Sequence, residues 1–190
     1  MALAKPMQAT YADIEALPPH VTGQIAFGVL HAHPRPGPRH GNAVIELQTE
    51  LMGSFRRGRG GPGGWVFQPE PELHLDEHII VPDIAGWRRE RMPGLPDTAF
   101  FEQPPDWICQ VLSPSTQRLD RTDKLAIYGA SGVSHCWYVD PIAQTLEVLA
   151  RQGEEWLITA ACKDADQVCA PQFEAHIFAL DVLWPNGGRN

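Results

Sequence analysis

Apolar and polar positions follow one another along this chain in short blocks, and the clearest helical period runs over residues 41–55. There Val44, Leu47, Leu51 and Phe55 recur at steps of three and four, which sets them in one stripe of a helix. Glu46 and Glu50 lie four apart on its flank. Most other blocks read as strands. Gln24–His31 predicts a hairpin or bent strand with Gly28 at the bend. Trp65–Gln68, Glu72–Leu75 and His78–Val81 are short strands separated by turn residues, and Ile84–Arg88 continues extended. Alternation puts Glu72 and His74 on one face and Leu73 and Leu75 on the other. Trp107–Leu112 is apolar except at Gln110, the pattern of a strand buried on both faces, and His135–Val139 reads the same way. Thr145–Ala150 and Glu155–Ala160 form a hairpin around Gln152-Gly153, and Ile177–Leu183 is the last apolar piece. A short helix over 11–17 stops at Pro18-Pro19. A longer one spans about residues 120–131, framed by Asp120 and Asp123 at its start and closed by Gly132, with Leu125 and Tyr128 inward.

This order predicts an α/β chain of the α+β kind, a mixed sheet with helices packed on it. The 17 glycines and 18 prolines argue for many turns and against a long-helix bundle. Arg56–Gly64 holds five glycines and a proline and must be a loop. No repeat and no long linker divides the chain, so residues 1–190 form one domain with a core over about 10–185.

The net charge of −8 excludes a generally basic nucleic-acid coat. Residues 1–95 carry nine basic and ten acidic groups, and residues 96–190 carry six and thirteen. No apolar run approaches the roughly 18–20 residues of a membrane span, and Met1–Met7 has no signal-peptide core. Cys109, Cys136, Cys162 and Cys169 show no metal-ligand spacing and read as reduced thiols of a cytoplasmic protein.

Candidate chemistry sits where polar groups interrupt apolar strands, because a buried carboxylate must be paired or bind a metal. Glu72 projects from a strand, Asp83 follows Ile-Ile-Val-Pro, and Gln110 lies mid-strand. Lys124, the one lysine in the middle of the chain, begins the following helix. A sheet bearing the first three, with Lys124 above it, would gather hard oxygen ligands suited to Mg²⁺ or Mn²⁺ and one cation around a pocket. Such an ion polarises a phosphodiester, and a lysine offsets developing negative charge. Arg56, Arg57 and Arg59 in the glycine loop, and Arg88, Arg89 and Arg91 after Asp83, are suited to phosphate contact. Their plainer reading is solubility charge. His31 and His33 lack partners at zinc spacing. No P-loop, nucleophile elbow, zinc finger or helix-turn-helix signature is present.

The ordered run Pro82-Asp83, Pro105–Thr116 (PDWICQVLSPST), Asp120–Tyr128 (DRTDKLAIY), Gly132-Val133 and Trp137–Pro141 (WYVDP) resembles the Uma2 family. These are bacterial restriction-endonuclease-like proteins of the PD-(D/E)xK nuclease superfamily. Gly60–Trp65 and Pro69–Leu75 also resemble a subgroup of it. The resemblance implies a restriction-endonuclease-like fold with helices flanking a central mixed sheet. It implies an endonuclease hydrolysing DNA, a Mg²⁺ or Mn²⁺ cofactor, and a homodimer. Asp83 matches the metal-binding aspartate, residue 110 the second acidic ligand, Lys124 the lysine supplied from the next helix, and His40 a histidine beginning the first helix. The motif's usual lysine position is Leu112, which cannot serve. Glu72, and less directly Glu46 or Glu50, would complete the acidic set.

One departure matters. The family has glutamate where this chain has Gln110, and an amide oxygen brings no charge to a metal. Two readings stand: a nuclease that tolerates the amide, or a nuclease-fold module that has lost catalysis and binds DNA or protein.

Overall fold

The computed structural model describes residues 8–185; the initial stretch read as lacking a signal peptide lies outside them. Short α1 (Tyr11–Glu15) precedes the hairpin β1 (Val21–Ala26) and β2 (Val29–Pro34). Its two-residue turn is Phe27-Gly28, both at positive φ (50° and 75°), the backbone twist that matches a tight hairpin. Next come α2 (Pro38–Leu51), a π-helical turn (Met52–Arg56), β3 (Trp65–Pro69), β4 (Leu73–Leu75), β5 (His78–Ile80), β6 (Ile84–Arg88) and β7 (Trp107–Val111). The second half holds α3 (Gln117–Arg121), α4 (Asp123–Ala130), β8 (His135–Asp140), β9 (Thr145–Gln152) and β10 (Glu155–Lys163). The small pair β11 (Gln167–Val168) and β12 (Phe178–Ala179) and a 3₁₀ turn (Leu180–Leu183) end the fold.

Six strands form a mixed sheet in the order β10-β9-β8-β7-β6-β3, in which β7 and β8 are parallel and the other neighbours antiparallel. The β7–β8 connection passes through α3 and α4, as a parallel crossover requires. A second, four-stranded antiparallel sheet runs β2-β1-β5-β4. The expected mixed sheet with flanking helices is therefore present, but of the three residues expected on one sheet only Gln110 is in it: Glu72 precedes β4 of the small sheet, and Asp83 stands between β5 and β6. The chain from β3 to β6 leaves the large sheet, pairs with the β1–β2 hairpin through β5, and returns.

The continuous apolar run of β7 follows from burial on both faces. Trp107, Cys109 and Val111 join one core with Ala43, Leu47 and Leu51 of α2, with Phe55 of the π-helical turn, and with Phe173, Phe178 and Trp184 of the carboxy-terminal tail. Ile108 and Leu112 join a second core with Ile127 and Tyr128 of α4. Gln110 points to this second face by the period of two. The buried row of α2 runs Ala43-Leu47-Leu51 and continues to Phe55 in the π-helical turn, and Val44 sits half-buried at its edge. Small Ala43 at 0% exposure lets the helix approach the sheet.

The expected single helix over 120–131 is two. Thr122 (φ −118°, ψ −88°) leaves helical space and separates α3 from α4. Because α3 already begins at Gln117, behind Thr116, Asp120 lies inside it, buried, instead of starting a helix.

Candidate active-site cleft

Asp83 lies between β5 and β6, where the chain crosses from the small sheet to the large one. Its Oδ2 accepts the Val111 backbone N–H at 2.7 Å. Its Oδ1 lies 3.0 Å from His40 Nε2. His40 belongs to the first turn of α2, behind Gly37 at the N-cap and Pro38 at the first helical position. Burial lowers the His40 pKa, but the contact with Asp83 and the charge of Glu70 outweigh it, and the net shift is upward.

Gln110, 1% exposed, is held at both ends of its amide. Nε2 donates to Tyr128 Oη at 2.9 Å, and Oε1 accepts from Lys124 Nζ at 3.2 Å. Burial, followed by the charge of Asp120, drives the Tyr128 phenol pKa well above its ordinary value, so the phenol stays protonated. The Lys124 ammonium also donates to the Val81 carbonyl at 2.8 Å and lies 2.9 Å from Asp120 Oδ1. The side chains of Lys124 and Asp120 are 2% and 4% exposed.

These groups bound a cleft of about 440 Å³ between the two sheets. Glu70, Glu72, Asp83, Asp120, His40 and Gln110 all line it, together with Arg35 and Ser113–Thr116. Lys124 does not line it. It stands one layer behind, bonded to three residues that do: Val81, Gln110 and Asp120. Four carboxylates around one cleft, with two charged nitrogen-bearing side chains among or behind them, make a hard-oxygen environment.

Residues 9–182 match the Uma2 family, whose description reads "putative restriction endonuclease". The chain belongs to this family. Its fold is similar to that of a crystal structure described as a putative nuclease from Anabaena variabilis ATCC 29413. The TM-score is 0.72 at 21% sequence identity, over 92% of this chain and 97% of the other. No curated protein matches. Family and fold together make this Uma2 chain a restriction-endonuclease-like, nuclease-type protein.

Of the residues the sequence singled out, the structure brings His40, Glu72, Asp83 and Gln110 to one cleft and sets Lys124 behind its wall. Glu72 is paired with His74 (Oε1 to Nε2, 2.7 Å), the same-face neighbour that strand alternation predicts. Glu50 pairs instead with His176, also at 2.7 Å. The arginines are elsewhere. β6 starts next to Asp83 and ends at Arg88, about 16 Å of strand away at ~3.3 Å per residue, and Trp65 pairs with Arg88 there. Arg56 and Arg89 share a separate hollow with Met92 and Leu95. Arg88 donates to Gln172 at 2.7 Å and covers the Trp65 ring at 4.3 Å. None of Arg56, Arg57, Arg59, Arg88 and Arg89 lines the cleft; Arg35 does.

Sequence reading missed Glu70, Asp120 and Arg35. Glu70 sits in Pro69-Glu-Pro71 and reads as a turn residue. Asp120 reads as a helix cap, because the helix start three residues earlier, at Gln117 behind Thr116, goes unrecognised.

In kind, the donor set fits a hard divalent cation: carboxylate oxygens and one amide oxygen, without thiolate, and the two imidazoles of the lining, His33 and His40, are engaged by Gln24 and Asp83. Among the described residues no three His, Cys, Asp or Glu side chains converge closely enough to enclose one. The nearest oxygens are bonded to nitrogen donors here, Asp83 to Val111 N and His40, Gln110 to Lys124. Cys109 and Cys136 offer no alternative nucleophile: both are buried, and burial pushes their thiols up. No helix among the described residues is long and apolar enough to cross a membrane.

Proposed function

We propose that this protein is a metal-dependent endonuclease that hydrolyses DNA phosphodiester bonds. The observation that supports it most is the meeting of Asp83, Glu72, Gln110 and His40 at one cleft, from four separate parts of the chain. Asp83, Glu72 and the Gln110 amide oxygen would hold Mg²⁺ or Mn²⁺, which supplies Lewis acidity and a more acidic bound water. Val111 N–H fixes the Asp83 carboxylate, and His40 faces its other oxygen, so its direction is set before substrate arrives. Arg35 at the mouth offers a guanidinium to phosphate. Lys124 contributes positive charge from behind the wall.

The test is cleavage of supercoiled and linear DNA in Mg²⁺ and in Mn²⁺, wild type beside Asp83→Asn. Asparagine keeps an acceptor for Val111 N–H and removes the charge. Ion-dependent cleavage that falls at least 100-fold in the variant supports the reading. Equal cleavage by both proteins overturns this site.

A second reading has its own observation. With Gln110, residue 110 adds no negative charge, and its oxygen is already satisfied by Lys124. The protein would then be a nuclease-fold module that binds DNA or protein without cutting. DNA binding without cleavage in wild type, with cleavage appearing in Gln110→Glu, would favour it. A homodimer is the assembly proposed for either reading, and a light-scattering mass near 21.0 kDa would refute it.

A further inference from the structure

Lys124 and Asp120 form a buried ion pair next to the cleft. Burying two charges is costly and in general is weak support for stability, so the pair needs another reason. Its members are not equivalent. Asp120 lines the cleft and Lys124 does not. The ammonium is held by the Val81 carbonyl at 2.8 Å, by Asp120 Oδ1 at 2.9 Å and by Gln110 Oε1 at 3.2 Å. Asp120 and Gln110 thus present oxygens to one nitrogen and side chains to one cleft. The carboxylate absent at position 110 has a near neighbour ten residues further along the chain. Asp120 and Lys124 are four residues apart, the spacing of neighbours on one helix face, and they meet although Thr122 separates α3 from α4.

We propose that Asp120 supplies the second carboxylate of the cleft in place of residue 110, and that Lys124 is the positioning residue that holds it and Gln110 in the wall. This rests on the reading of the cleft as a cation-dependent site, keeps Asp83 and Glu72 in it, and replaces the Gln110 amide oxygen as a ligand by the Asp120 carboxylate. Lys124 neutralises the excess charge of the wall and fixes two oxygens at once. Gln110 then acts as a neutral spacer between Lys124 and Tyr128. A glutamate there would set a second carboxylate on the same ammonium.

The experiment is Mn²⁺ binding by calorimetry without DNA, with Tm measured on each protein. Asp120→Asn should bind Mn²⁺ at least tenfold more weakly than wild type. Removing Asp120 alone strands the buried ammonium, so Asp120→Asn/Lys124→Met is the folding control. It removes both charges, should keep a cooperative transition, and should bind just as weakly. Asp120→Asn/Gln110→Glu returns the carboxylate to position 110 and should recover to within about threefold of wild type. Wild-type affinity in Asp120→Asn, with affinity lost in Asp83→Asn, overturns the role of Asp120 and leaves the cation site standing. Binding that appears only when Gln110→Glu is introduced overturns it too. No binding by any of the proteins overturns the cation-dependent reading itself, and the Asp120 proposal with it.

Discussion

Lys124 donates to Gln110 Oε1 at 3.2 Å, a contact between the first turn of α4 and the penultimate residue of β7. The same amide donates to Tyr128 Oη at 2.9 Å. The two neighbours differ in what they can do. An ammonium only donates, whereas a phenol accepts or donates by rotating its proton. A glutamate at 110 would accept from both without any change of shape. Gln110→Glu should therefore keep the fold, with Tm within ~4 °C of wild type, the shift made by about 1 kcal/mol in a domain of this size. Mn²⁺ affinity should rise at least tenfold, about 1.4 kcal/mol. Titration calorimetry and a melting curve check both; unchanged affinity or a collapsed transition refutes the prediction.

Lys124→Met tests the ion pair as structure. Methionine fills the apolar part of the space but leaves Asp120 as an unpaired carboxylate whose side chain is 4% exposed. It also strips donors from Val81 O and Gln110 Oε1. Removing one partner of a buried pair costs about 3–5 kcal/mol. Urea unfolding should show a loss of that size; a loss below about 1 kcal/mol would mean the pair is open to solvent.

How much of this was legible in the sequence depends on whether the signal is local. The β1–β2 hairpin, the α2 stripe and the doubly buried β7 follow from periods of two and 3.6 and from Gly28, all within a few residues. Glu72, Asp83 and Gln110 are legible as polar groups in or beside apolar strands, His40 only through the family pattern, and the four do meet at one cleft. Three things were not legible. The division into two sheets turns on the single β1–β5 partner pair Ile25↔Ile79, a contact 54 residues apart. The helical stretch begins at Gln117 and is split at Thr122, so Asp120 lies inside α3 as a buried ion-pair partner and not at a cap. The arginines follow Asp83 closely in sequence, but β6 is extended, so closeness along the chain becomes distance in space.

Phe173 was not singled out either, because it stands in an irregular stretch without a period. Its ring lies 4.8 Å from Phe55, 5.0 Å from Trp65, 5.2 Å from Trp107, 5.5 Å from Trp137 and 5.9 Å from Phe67, centroid to centroid. It ties the carboxy-terminal tail to the π-helical turn that follows α2 and to three strands of the large sheet. Phe173→Ala opens a cavity among rings that cannot collapse into it and should cost about 3–5 kcal/mol. Denaturant unfolding measures this directly. A loss under about 1 kcal/mol would show that the tail is not part of the core.

His135 gives the fold a pH dependence of known sign. Burial lowers its pKa, and the Arg88 charge adds to this, against the opposing Asp106 and Glu174. The ring is held by neutral partners, Ser134 Oγ at 3.0 Å and Gln172 Nε2 at 3.1 Å, and Gln172 in turn accepts from Arg88 at 2.7 Å. The folded state therefore takes up this proton at lower pH than the unfolded chain, whose histidines titrate near ~6.5. His135 contributes its full stability above that value. The contribution is lost as pH falls through the lower folded-state pKa, because the unfolded chain binds the proton first. In His135→Gln this part of the slope should vanish. The urea midpoint of wild type should drop more between about pH 7.5 and pH 5.5 than that of the variant, and the difference between the two curves isolates this residue from the carboxylates and from His40. Parallel curves would show that His135 titrates alike in both states, and that Arg88 and burial do not act on it.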